Sequence, residues 1–104
     1  MTNIERIKLL EKEPPLSCCL TDYYCELLEK VGEIKRNYGD YLLTSPINCN
    51  DELDRVTTAD YELCCALLTM LLREDYFVQY GCFDNRYKKG DVQRIINRMI
   101  HLLK

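Results

Sequence analysis

The chain has 104 residues, 47% hydrophobic and 30% charged, with a formal net charge of −3. That length closes one hydrophobic core and not two, and the balance suits a folded globule and excludes a disordered tail. No apolar run approaches the ~18 residues of a membrane span, and residues 1–13 alternate charge with Ile and Leu where an export signal would be continuously apolar, so one cytoplasmic domain over 1–104 is expected.

Periodicity predicts an all-α fold, a compact bundle of about four helices. Thr2 with Glu5 forms a capping box, and Ile4, Ile7 and Leu10 recur at helical spacing, giving a first helix over 3–12 that Pro14 and Pro15 end. Thr21 can cap a second helix over 21–38, with Tyr24, Leu27, Leu28, Val31, Ile34 and Tyr38 on one face and Gly39 as its stop. Between Asp40 and Val56 the signals are mixed, so a loop is expected there with a helical turn near 50–56 that Asn50 can cap. Thr57 with Asp60 forms a second capping box opening the strongest helix, 58–75. It is apolar on nearly every face and is therefore expected at the centre of the fold. Tyr76 to Lys89 reads as a loop with one helical turn in preference to a short irregular hairpin. After Gly90, Asp91 caps a last helix over 91–103, with Val92, Ile95, Ile96, Met99, Ile100 and Leu103 inward.

Charge is distributed unevenly. Residues 1–39 carry net −1, residues 40–84 net −7 and residues 85–104 net +5. Such a split governs partner choice and encounter rates more than the fold.

The machinery of catalysis is missing from the pattern. Neither serine sits in a nucleophile elbow, and the one histidine, His101, falls on the polar face of the last helix. The four glycines are scattered singly, so no phosphate loop exists. Seven cysteines without an export signal, four of them in the pairs Cys18-Cys19 and Cys64-Cys65, read as reduced core or boundary residues. No C-x-x-C occurs, and adjacent cysteines on a helix point ~100° apart, which disfavours a shared metal ion. No catalytic residue, metal or cofactor is expected.

Two features point to binding: eight tyrosines, and nine acids between residues 40 and 84. Tyrosine joins an apolar body to a polar tip, and carboxylates can occupy a basic channel where phosphates would sit. The expected protein-binding surface comprises Asp40, Tyr41, Asp51, Glu52, Asp54, Glu74, Asp75, Tyr76, Tyr80 and Asp84. Direct nucleic-acid binding through Arg86, Lys88, Lys89, Arg94 and Arg98 ranks below pairing with protein carboxylates, because the pI is near 5.1. A homodimer is compatible with this reading.

The segment Ala59-Asp60-Tyr61-Glu62-Leu63, with Ala66-Leu67-Leu68-Thr69, Leu72-Arg73-Glu74-Asp75, Gly81, Phe83, Gly90-Asp91-Val92 and Ile95 to Met99, resembles a bacterial helical domain family of unknown function. That family occurs mainly in Firmicutes and their mobile elements. The resemblance covers residues 57–104 and implies a bacterial or phage-borne accessory protein, with no catalytic residues to transfer. With the acidic middle, it leads to the expectation of a non-enzymatic inhibitor, anti-CRISPR-like, acting on a nucleic-acid-binding effector with a basic channel. The alternatives are a small DNA-binding regulator using the last helix, or a cysteine-based metal or redox protein.

Overall fold

Helix α1 spans Asn3–Glu11 and begins as its sequence requires, with the Glu5 amide donating to Thr2 Oγ1 at 3.2 Å. The computed structural model describes residues 1–77 and 81–104, and among these it contains six α-helices and no strand. Besides α1 they are α2 (Leu20–Val31), α3 (Cys49–Leu53), α4 (Tyr61–Phe77), α5 (Cys82–Lys89) and α6 (Asp91–Leu103), with 3-10 turns at Tyr38–Tyr41 and Asp54–Thr58. The Cα radius of gyration, 12.8 Å, is that of one packed body of this length, for which about 13 Å is usual.

α4 occupies the centre. Cys64 to Leu72 are buried without interruption, because Leu67, Met70 and Ala66 face neighbours on the sides where an ordinary amphipathic helix would face water. α2, α3, α5, α6 and the Tyr38–Tyr41 turn all pack on it. The one polar residue in this run, Thr69, donates to Cys65 O at 2.8 Å and accepts from the Lys35 amide at 3.1 Å. Its hydroxyl is therefore satisfied, as a buried polar group must be. The inward stripe read from the last helix holds, with Val92, Ile95, Ile96 and Met99 at 0–1% exposure.

Several expectations are corrected, the first being the count, since six helices stand where about four were expected. The second helix stops at Val31, well short of residue 38, because Gly32 lies against α4: a Cβ there would stand 2.7 Å from Cys65 Sγ. Tyr61 Oη donates to the terminal Val31 carbonyl at 2.6 Å, supplying the acceptor with a partner that the helix no longer provides. Ile34 and Tyr38 still pack on the core, Ile34 from irregular chain and Tyr38 from the start of the 3-10 turn. Several caps also shift by a few residues. Cys19, not Thr21, precedes α2; Asn48, not Asn50, accepts from the Asp51 amide at 3.1 Å; Asp60, not Thr57, caps α4 through the Leu63 amide at 2.8 Å. Asp91 lies inside α6, whose N-cap is Gly90 at φ +88°, a conformation that favours glycine.

The largest correction is α5, since Cys82–Lys89 is helical where a loop was expected. Asp75 on α4 accepts from the Gly81 amide at 3.1 Å and the Phe83 amide at 2.9 Å, so the cap comes from the preceding helix and not from the residue beside the new one. Phe83 is wholly buried, its ring 5.6 Å from that of Tyr24. Burial of that ring, and not helix propensity, holds this short segment.

Candidate protein-binding surface

Where the acids go decides what the surface offers. Glu52 was expected among exposed carboxylates, but it is 1% exposed and turned inward. Its Oε2 accepts from the Leu43 amide (2.9 Å), the Thr44 amide (2.7 Å) and Thr44 Oγ1 (2.6 Å), while Oε1 accepts from Arg55 Nη1 (2.8 Å). Burial alone would raise its pKa, but the bonds from Thr44, Arg55 and Leu43 outweigh it and hold the carboxyl at about 2. Glu52 is thus the anchor of the 42–48 loop.

Glu74 is likewise internal. Arg86 Nε and Nη2 each reach it at 2.9 Å in a forked pair, and the same guanidinium donates to Asp91 at 3.1 Å and Asn50 at 2.7 Å. The guanidinium holds the Glu74 carboxyl below its ordinary range. Asp75 caps α5 as described, Asp60 caps α4, and Glu62 joins Glu33 on the buried ammonium of Lys35, beside the Tyr41 ring. Asp40, Asp51, Asp54 and Asp84 remain exposed. The tyrosines divide similarly: Tyr24 is buried, while Tyr23, Tyr38, Tyr41, Tyr61 and Tyr87 are half-buried boundary rings. Of the expected site residues, Tyr80 and the Tyr76 side chain lie outside the described residues.

The basic tail answers the acidic middle within the molecule. Arg94 Nη2 donates to Leu53 O at 3.3 Å and Arg98 Nε to Ala59 O at 2.8 Å. With Arg86 on Asn50, three arginines from α5 and α6 clasp the segment 49–59 from behind.

What that clasp presents was not legible beforehand. Leu43 is 78% exposed and Ile47 47%, on either side of Thr44, Ser45 and Pro46, with a cis peptide bond between the last two. Thr44 Oγ1 also accepts from the Asn48 amide at 2.9 Å, which closes the loop across its base. Arg55 Nη1 donates to Tyr41 O at 2.8 Å, fixing the strand of chain that leads in. The result is an apolar tip on a braced backbone. Between Asn37 and Ala59 the sequence has four acids and one base, and Arg55 is neutralised by Glu52, so the free charge of this segment is that of Asp40, Asp51 and Asp54.

Among the described residues no three His, Cys, Asp or Glu side chains converge as metal ligands, His101 is exposed, and no helix is long and apolar enough to cross a membrane. Comparison with known proteins finds no family model that matches the chain, and no curated protein or solved structure that matches it.

Proposed function

We propose that the chain is a protein-binding module that works without catalysis, recognising its partner through the tip formed by Leu43 and Ile47 and the carboxylates of Asp40, Asp51 and Asp54. The observation that carries this reading is Glu52. A carboxylate buried to hold two amides and a hydroxyl of one loop fixes a segment that carries two aliphatic side chains in water, where they add nothing to the core. Pre-ordering the tip lowers the entropy lost on binding.

In its finer form the proposal is an inhibitor borne by a bacterial or phage mobile element, anti-CRISPR-like, which covers a basic channel of a nucleic-acid-handling effector. Two exposed aliphatic side chains in a segment whose free charge is acidic support that choice, because a carboxylate-bearing surface complements a basic one. The DNA-binding alternative has less support, since Arg86, Arg94 and Arg98 already serve carbonyls and carboxylates of their own chain. A cysteine-based metal or redox protein has less support too, Cys64 and Cys65 being sealed in the core.

Leu43→Asp tests the reading. The side chain is exposed, so the substitution is expected to leave stability within about 0.5 kcal/mol of the parent. In pull-downs with purified nucleic-acid-handling effectors, the parent chain is expected to hold a partner that rising salt releases and the variant to hold none. Retention unchanged by the substitution, or no salt-sensitive partner at all, would contradict it.

A further inference from the structure

Leu16 is wholly exposed, more so than any other large hydrophobic side chain among the described residues. The chain leaves α1 through Pro14 and Pro15, whose fixed φ stiffens the approach. The Cys18 amide then donates to Pro15 O at 3.2 Å, closing a turn with Leu16 and Ser17 as its central residues. No described residue covers the isobutyl group.

The same leucine stands at a groove of about 540 Å³ between the 12–19 connection and α5, far larger than its own side chain. Tyr87 supplies an apolar wall there, and it is firmly backed: its ring lies 6.0 Å from that of the buried Tyr24, which lies 5.6 Å from that of Phe83. A projecting aliphatic side chain and a recess with an apolar wall therefore belong to one patch. Were they in different places, copies could chain head to tail; in one patch, a twofold axis lets each copy fill the recess of the other, and the contact closes.

The charges obey the same symmetry. Asp84 and Lys88 stand one turn apart on α5, both exposed and both lining the groove. Among the described residues neither takes part in an ion pair, although their spacing would allow one between them. Asp75, the remaining charge in the groove, is already engaged by the Gly81 and Phe83 amides. Opposite charges one turn apart become two ion pairs when two copies of the helix run antiparallel across a twofold axis, Asp84 of each meeting Lys88 of the other.

We infer that this patch joins two copies of the chain about a twofold axis, with Leu16 of each seated against Tyr87 in the groove of the other and Asp84 paired with Lys88 across the contact. A single groove makes a small interface, so the dimer belongs to the transient class and forms at high protein concentration. Leu43 and Ile47 take no part in it, and its failure would leave the proposed function untouched.

Sedimentation velocity of the full chain under reducing conditions, from about 10 μM to about 1 mM, tests this. The dimer fraction is expected to rise with concentration, Leu16→Asp to weaken association at least about tenfold, and Leu43→Asp to leave it unchanged. Asp84→Lys alone and Lys88→Asp alone each set like charges across the axis and should remain monomeric. An equimolar mixture of those two variants restores opposite charges at both contacts and should associate as the parent does. A parent that stays monomeric throughout, a dimer that Leu16→Asp does not weaken or Leu43→Asp abolishes, or a mixture no better than its components would overturn the assignment.

Discussion

Leu68→Ala is expected to lower the unfolding free energy by about 2–5 kcal/mol, a large share of the roughly 5–15 kcal/mol that a domain commands. Leu68 is 1% exposed at the middle of α4, the helix on which most others pack. Cutting its isobutyl group back to a methyl leaves a cavity walled by several helices, and α4 cannot move toward one neighbour without leaving another, so the space stays largely open. Urea denaturation of parent and variant measures the difference. A loss below about 1 kcal/mol would show that the helices around α4 collapse readily and that α4 is not the rigid centre.

Glu52→Ala should cost about 3 kcal/mol, as befits a residue that removes two amides, a hydroxyl and a guanidinium from water. Arg55 is itself half-exposed and can turn back to solvent, so the loss falls mainly on the Leu43 and Thr44 amides. Glu52→Gln keeps an acceptor without the charge and should cost about half as much. The pH dependence follows from the same bonds. Folding holds this carboxyl at about 2, below its ordinary 4.5, so the stabilisation is complete above 4.5 and is lost as the pH falls from there toward 2. Thermal melts between pH 7 and pH 2.5 should show a stability loss in the parent that is smaller in Glu52→Gln. Equal acid sensitivity in the two chains would remove Glu52 from its assigned role.

How far the sequence reads as structure depends on where each signal comes from. α1, the inward stripe of α6 and the all-round apolar α4 follow from spacing alone, because a helix that is apolar on every side has nowhere to lie except the centre. The overrun of α2 past Val31 has a different origin. Ile34 and Tyr38 keep helical spacing and do pack on the core, yet the close approach of Gly32 to Cys65 ends the helix, and that contact joins residues far apart in sequence. α5 was hidden for the same reason, since its cap, Asp75, belongs to the helix before it.

The acids of the proposed surface are legible in composition and not in placement. A count of acids cannot separate Glu52 and Glu74, which bind arginines inside the fold, from Asp40, Asp51 and Asp54, which face water. Leu43 and Ile47 give no signal in the sequence because two aliphatic residues in a polar loop have no period, and only the hydrogen bonds of Glu52 show that the loop carrying them is braced. One clue did lie in the chain: a lone arginine three residues after Glu52 in an otherwise acidic stretch is the spacing of an ion pair on one helical face.

Amide hydrogen exchange at Leu43 and Thr44 in the native protein examines the brace itself. If the Glu52 carboxylate holds these two N–H groups, they should exchange slowly at neutral pH, while the neighbouring Ser45 amide at the tip exchanges fast. Leu43 and Thr44 amides exchanging as fast as Ser45 would mean that no fixed tip exists for a partner to recognise.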